Sequence, residues 1–245
     1  MKFEKTEVFN FEGAIRGARN PMNSWAKSDS SWMIGCAPDT NCETCLYKPC
    51  NLEANKYYNI GPKDMDLLIR LIRSGPEHRK FLRQIMVSVD ITAPLFFYKE
   101  YDTYKVGTVA NSCSTMHKIQ AKEFTRDDFA CNMLVPRSLE ILDKTIEELN
   151  FWRDIYNNGG MVVYPDVTVT YKPKDKEAWY QMIQLLPSSY EQKRTCTMTY
   201  ENLHAICSPG QRRNHKLYEW SLDFMNWARS LPYAQELLFT DEIKE

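Results

Sequence analysis

RTCTMTY, residues 194–200, changes character at every residue. Thr195, Thr197 and Thr199 fall on one side and Cys196, Met198 and Tyr200 on the other, the period of a strand with one buried face. MVSVDIT, residues 86–92, does the same: Met86, Ser88 and Asp90 alternate with Val87, Val89 and Ile91. Around these two strands the chain reads mainly as helix. Residues 137–157 form the clearest one, with Leu139, Leu142, Ile146, Leu149, Trp152 and Ile155 on one face. Asn157-Asn158-Gly159-Gly160 ends it. Pro62-Lys63-Asp64 opens a helix whose stripe is Met65, Leu67, Leu68, Leu71 and Ile72, with Gly75 as its stop. Pro76 restarts a helix through His78, Phe81, Leu82 and Ile85, Pro94 opens one in the aromatic run PLFFYKEYDTYKV, and Asp175 opens one that stops before Pro187. Two more, roughly 201–207 and 212–230, follow. Residues 161–173 are β-like but hydrophilic, NSCSTMH (111–117) reads as a small polar turn, and residues 1–35 read as irregular. No internal repeat or low-complexity tract is present. Long helices among few strands imply one α/β (α+β) domain over residues 1–245, a small mixed or antiparallel sheet flanked by helices. A cysteine-rich loop is inserted at about 33–60.

Composition narrows the function. Lys and Arg number 31 and Asp and Glu 32, a net charge of −1. That balance opposes a broad electrostatic grip on nucleic acid while leaving a single nucleotide open. No apolar run approaches the roughly 20 residues needed to cross a bilayer, and MKFEKTEVFNFEG lacks the apolar core of a signal peptide. The expectation is a cytoplasmic protein. None of the nine glycines forms Gly-x-Gly-x-x-Gly or Gly-x-x-x-x-Gly-Lys, and His-Glu-x-x-His and Gly-x-Ser-x-Gly are also missing. A bound nucleotide would therefore be held by side chains or by a different kind of turn.

Four of the eight cysteines, Cys36, Cys42, Cys45 and Cys50, fall within fifteen residues as C-x5-C-x2-C-x4-C. In a reducing compartment such a cluster reads as metal binding before disulfides. Cys42 and Cys45 can share one metal, Cys36 and Cys50 can complete a tetrahedral zinc site, and the metal would order a loop with little core of its own. Free thiols and an iron–sulfur cluster are the competing readings. Between residues 16 and 32, Arg16, Arg19, Asn20, Asn23, Ser24, Lys27, Ser28, Asp29 and Ser30 surround Trp25 and Trp32. They form either a surface loop with two tucked tryptophans or a phosphate-binding strap using Arg16 and Arg19 as forked donors.

Three blocks in order, SGPEHRKFLRQIMVSVDITAP (74–94), TYKVGTVANSCSTMH (103–117) and LPSSYEQKRTCTMTYENLHAICSPGQRRNHKLYEW (186–220), resemble the flavin-dependent thymidylate synthase family, above all its diverged bacteriophage relatives. The resemblance covers roughly residues 63–122 and 180–231. The family's Arg-His-Arg-x-x-Ser falls on Thr103–Thr108 and keeps one basic group, Lys105, and one hydroxyl, Thr108. Its Asn-x-x-Ser-x-Arg-Tyr falls on Asn111–His117, where Asn111 and Ser114 match and Met116 stands at the nucleotide-gripping arginine. The closing Ala-Gln-x-Glu-Ile-Arg falls on His215–Ser221, keeping Glu219 and losing the last arginine. Met and Ser cannot replace the planar, two-pronged contacts of a guanidinium, so Arg194, Arg212 and Arg213 are the candidates to compensate.

The resemblance implies FAD, a pyrimidine deoxynucleotide such as dUMP, methylenetetrahydrofolate as carbon donor, NADPH as reductant, and a homotetramer with sites between subunits. The missing arginines open a different pyrimidine, or hydroxymethyl rather than methyl transfer, as outcomes. His78, Lys105, Thr108 and Asn111 are the expected cofactor residues, and Ser112, Ser114, Arg194 and Arg213 the expected substrate residues. Those outside the two arginines have a plain structural counterpart: His78 as a surface histidine, the stretch from Lys105 to Ser114 as a turn satisfying its own backbone. His117 and Cys113 are possible acid–base and nucleophilic groups with no neighbour in sequence to activate them. His215 and Glu219, four apart, read as a solvated pair on one helix face. The alternative to an enzyme is a non-catalytic descendant of this fold, a metal-clipped interaction or nucleic-acid-binding module built on the cysteine loop.

Overall fold

Val87, Val89, Ile91 and Ala93 are fully buried while Ser88, Asp90 and Thr92 are only partly so, so the alternation expected at residues 86–92 does build a strand with one face against a core. The computed structural model describes residues 1–35 and 56–243. In chain order its elements are β1 (Lys2–Phe9), α1 (Phe11–Arg19), β2 (Ser31–Ile34), β3 (Lys56–Asn59), α2 (Pro62–Arg73), β4 (Met86–Pro94), α3 (Leu95–Tyr101), β5 (Val109–Ser112) and α4 (Thr115–Lys118). There follow α5 (Pro136–Asn158), β6 (Gly160–Val163), β7 (Thr168–Tyr171), α6 (Lys176–Leu185), β8 (Glu191–Thr199), α7 (Tyr200–Ile206), α8 (Met225–Arg229) and α9 (Ala234–Leu237). Four strands pair in the order β1-β4-β8-β5, and two antiparallel hairpins stand apart, β2 with β3 and β6 with β7. The result is the mixed α/β architecture the sequence implies.

The structure corrects four expectations. Residues 1–35 are not irregular. They hold β1, α1 and β2, and were hard to read because β1 is an edge strand exposed along most of its length and α1 buries only Phe11, Ala14, Ile15 and Arg19. The helix expected after Pro76 is a turn and a 3-10 helix, Lys80–Gln84, since Phe81, Leu82 and Ile85 need only a tight i,i+3 turn to reach the core. The polar stretch 111–117 is the end of β5 and the start of α4 rather than a turn. The helix expected from 212 starts only at Tyr218, because Pro209-Gly210 leads into a run of turns, and Glu219–Phe224 of that helix is wound as a π-helix.

The chain divides into two compact units, Met1–Lys5 with Val89–Lys105 and Ala110–Cys196, and Thr6–Ser88 with Val106–Val109 and Thr197–Glu245. In the first, α5 lays Leu142, Ile146, Leu149, Trp152 and Ile155 against Ala178 and Met182 of α6, with Phe124, Phe129 and Tyr171 completing the cluster. In the second, Phe11 meets Tyr200 and Tyr233 edge-on at 5.7 and 5.4 Å, and the Tyr200 hydroxyl donates to the Pro232 carbonyl at 2.7 Å.

Gly159, the residue that ends α5, has φ 74° and ψ 177°, a conformation open essentially to glycine alone. A β-carbon there would sit 2.9 Å from the Tyr171 carbonyl oxygen. Gly159→Ala is expected to cost about 1–3 kcal/mol. Urea unfolding measures this directly, and a change within the error of the method would show that the α5 terminus is not bound by its backbone.

Candidate functional site

In the first unit the start of β8 organises the polar groups. Buried Gln192 donates from Nε2 to the Cys113 carbonyl at 2.7 Å, and the Cys113 amide donates to the Lys193 carbonyl at 2.9 Å. These bonds place the end of β5, with exposed Asn111 and Ser112, beside β8. Next to them a small cavity of about 100 Å³ is lined by Cys113, Ser114, Thr115, Lys118, Tyr190 and Lys193, among others. Ser114 caps α4, its hydroxyl accepting the His117 amide at 3.1 Å. Lys193 is paired with Glu4 at 3.0 Å and Asp90 at 3.3 Å, which holds its ammonium above the ordinary lysine range.

Arg194 is held on three sides. Its Nε donates to Gln192 Oε1 at 2.9 Å, Nη1 pairs with Asp102 at 2.8 Å, and the guanidinium lies 3.8 Å from the centre of the Tyr98 ring. The Tyr98 hydroxyl donates to the Ile91 and Gln192 carbonyls at 2.7 and 3.1 Å, and burial pushes its pKa well up. The arginine is thus a planar cation on a rigid, neutral platform. Of the sequence candidates, Asn111, Ser112, Ser114 and Arg194 are drawn together by the β5–β8 pairing, while Lys105 is exposed on the turn after α3.

His78, Thr108 and Arg213 sit on separate elements of the second unit. His78 is exposed in the turn before the 3-10 helix, its amide donating to the Gly75 carbonyl at 3.0 Å. Thr108 follows Gly107, whose φ is +77° and whose missing β-carbon would lie 2.9 Å from Asn202 Oδ1. Asn202 Nδ2 donates to the Val106 carbonyl at 2.6 Å while its Oδ1 takes the Thr199 amide and hydroxyl. Asn202 thus ties the Val106 turn to the start of α7, a link the sequence reading missed; the signal available was the Thr199-x-x-Asn202 capping box. Beside it, Arg79 pairs with Glu201 at 3.1 Å and donates from Nη1 to His204 Nε2 at 3.2 Å. An arginine can only donate, so Nε2 accepts and Nδ1 carries the proton that reaches the Leu237 carbonyl at 3.2 Å. Burial first, then the Arg79 charge, lower the His204 pKa and keep the ring neutral. Arg213 is engaged at every nitrogen, by the Cys207 carbonyl at 2.7 Å and by Asp241 at 2.6 and 2.8 Å.

The strap around residues 16–32 is anchored inward. Arg19 is buried and donates from Nε to Asp64 at 2.5 Å, whereas Arg16 is exposed. The other Asp64 oxygen accepts from the Ser28 and Ser30 hydroxyls, each at 2.6 Å, and from the Asp29 and Ser30 amides, each at 3.1 Å. Arg19 is therefore spent on holding the fold. Cys36, Cys42, Cys45 and Cys50 lie outside the described residues, but the segment's flanks do not: β2 and β3 pair from Ser31 with Asn59 to Ile34 with Lys56. Among the described residues no group of three or more His, Cys, Asp or Glu is placed to hold a metal, and no helix is long and apolar enough to cross a membrane.

This is the fold of the flavin-dependent thymidylate synthases. The crystal structure of the enzyme ThyX from Helicobacter pylori, complexed with FAD and dUMP, superposes over 100% of both chains with a TM-score of 0.59 at 15% sequence identity. A second structure of Helicobacter pylori ThyX with FAD and dUMP, at 2.31 Å resolution, covers 98% of this chain and 97% of its own at the same TM-score and identity. At that identity the likeness is one of fold. No family model and no curated protein matches the chain.

Proposed function

We propose that the protein is a flavin-dependent enzyme of the thymidylate synthase type, transferring a one-carbon unit to a pyrimidine deoxynucleotide, dUMP or a close relative. The observation that carries the reading is the end-to-end match to an enzyme crystallised with FAD and dUMP. The donor set also suits such ligands. Lys105 and the exposed β5 residues Asn111 and Ser112 offer a cation, an amide and a hydroxyl, the groups that hold phosphate and carbonyl oxygens. In this reading His78, Lys105, Thr108 and Asn111 hold the flavin, and Ser112, Ser114, Arg194 and Arg213 hold the nucleotide. The bound flavin supplies the hydride chemistry. The protein's residues bind, orient and screen from water, which is consistent with the lack of a nucleophile–base pair in the sequence. Methylenetetrahydrofolate and NADPH complete the reaction as co-substrates, and the working form is a cytoplasmic homotetramer with sites shared between subunits.

The test is chemical. Purified native protein is denatured and the released small molecules identified by mass spectrometry, with the visible spectrum recorded beforehand. The expected result is flavin absorption and FAD, with added dUMP perturbing the spectrum. A colourless protein that takes up no added FAD overturns the proposal. Zinc analysis of the same sample reads the cysteine loop.

A further inference from the structure

We propose that Arg213 and Arg229 form a two-arginine cradle for a phosphoryl group, kept filled by the protein's own Asp241 and Glu242. The two guanidiniums converge. Glu242 Oε1 accepts from Arg229 Nη2 at 2.8 Å and lies 3.1 Å from Arg213 Nη1, so one oxygen is bridged by both. Glu242 Oε2 takes Arg229 Nη1 at 2.8 Å, and Asp241 binds Arg213 through both its oxygens. Two forks converging on one small group of oxygens suit a phosphoryl dianion as well as they suit two carboxylates.

The cations are fixed without the carboxylates. Arg213 Nε is tied to the Cys207 carbonyl at 2.7 Å. Both guanidiniums also approach the buried Phe239 ring, at 5.1 Å for Arg213 and 3.9 Å for Arg229. The Arg213 side chain is only 13% exposed, whereas Asp241 is 45% exposed, Glu242 32% and Arg229 39%, so the cradle is open to solvent at both carboxylates and at Arg229. Their 3-10 turn is closed by two backbone bonds, Glu242 to Phe239 at 2.9 Å and Ile243 to Thr240 at 3.3 Å. Buried Thr240, whose hydroxyl donates to the Glu236 carbonyl at 2.8 Å, is the pivot. A cavity of about 370 Å³, lined by Ile72, Arg73, His204, Thr240, Asp241 and Ile243, adjoins the acidic turn. It provides room for the rest of a phosphorylated ligand.

The inference builds on the nucleotide reading through Arg213, and its test omits flavin so that the two can fail separately. Orthophosphate is titrated by calorimetry into wild type and into the D241N/E242Q double variant at matched ionic strength. Phosphate affinity is expected to rise at least tenfold in the double variant and to return to the wild-type level when R213Q is added. Equal affinity in wild type and double variant overturns the proposal. In wild-type protein, which needs no variant to fold, saturating phosphate is expected to speed hydrogen exchange at the Glu242 and Ile243 amides relative to chloride, and unchanged or slower exchange counts against it. Binding of dUMP to the double variant that is tighter than that of both deoxyuridine and orthophosphate, and that falls to the wild-type level when R213Q is added, assigns the cradle to a nucleotide phosphate. Equal binding of dUMP and orthophosphate assigns it to the free anion.

Discussion

Replacing Asp64 with alanine should destabilise the protein by about 3–5 kcal/mol, the usual cost of removing one partner from a buried ion pair. Asp64 is completely buried and its two oxygens take five donors, the Arg19 guanidinium, two serine hydroxyls and two backbone amides. Alanine leaves a buried arginine without its anion and four further donors without an acceptor. At roughly 2–4 °C per kcal/mol for a chain of this size, the thermal midpoint falls by about 10 °C. Ser30→Ala removes one hydroxyl donor to Asp64, and with it the acceptor for the Gly61 amide at 3.0 Å; it should cost about 1–2 kcal/mol. The pH dependence gives an independent check. Burial pushes the Asp64 pKa up, but the hydrogen bonds from Ser28, Ser30 and Arg19 outweigh it and hold the carboxyl below its ordinary 3.8. The unfolded chain therefore binds the proton first. The contribution is complete above 3.8 and is lost as pH falls below that value towards the folded-state pKa. Wild type and the alanine variant should converge in stability on acidification. A gap that is small at neutral pH, or that does not narrow in acid, would refute the role given to Asp64.

Asp64 also shows what could be read in advance. It falls four residues before Leu68 and eight before Ile72, and these are the three buried positions of α2. A carboxylate in the register of an apolar stripe is itself a sign of a buried polar hub. Its partners carry no such sign, because Arg19, Ser28 and Ser30 lie 34 to 45 residues away. The same division holds across the molecule. β4, β8 and α5 were legible because each buries one regular face, and the period of that face is written in the chain. β1 buries no regular face, so its edge position left no periodic trace.

The candidate site was legible in composition and not in pairing. The cluster of hydroxyls and amides from Thr108 to Ser114 stands out in the sequence, but what positions it does not. Gln192 reaches Cys113 across 79 residues and Asn202 reaches Val106 across 96. The arginines are the sharpest case. In the sequence Arg194 and Arg213 read as cations able to replace lost guanidiniums, and in the fold each is paired with an acid distant in the chain, Asp102 and Asp241 respectively. A count of charges sees a free donor where the folded chain has a paired one. A ligand at either arginine must therefore compete with a carboxylate or share the guanidinium with it.

For Arg194 sharing is the reading that fits. Asp102 is half-exposed and takes only Nη1, Gln192 takes Nε, and the Tyr98 ring fixes the guanidinium plane. Arg194→Met is expected to weaken dUMP binding by about tenfold to a hundredfold, since hydrogen bonds to a charged group contribute about 1.5–3 kcal/mol. Arg194→Lys keeps the charge but loses the fork and the stacking, so it should recover only part of the loss. Deoxyuridine separates binding from folding. If the guanidinium grips the phosphate, affinity for the nucleoside should hardly change while affinity for dUMP collapses. If Arg194 only ties Gln192 and Asp102 together, the variants should lower the thermal midpoint and reduce binding of both ligands alike. Equal losses for nucleoside and nucleotide, or none for either, would remove Arg194 from the nucleotide site. Because Gln192 links Arg194 to the Cys113 carbonyl, the measurement also reads the edge of β5. Gln192→Leu, which leaves the arginine held by Asp102 and Tyr98 but cuts that link, should weaken dUMP binding less than Arg194→Met does, and deoxyuridine binding more.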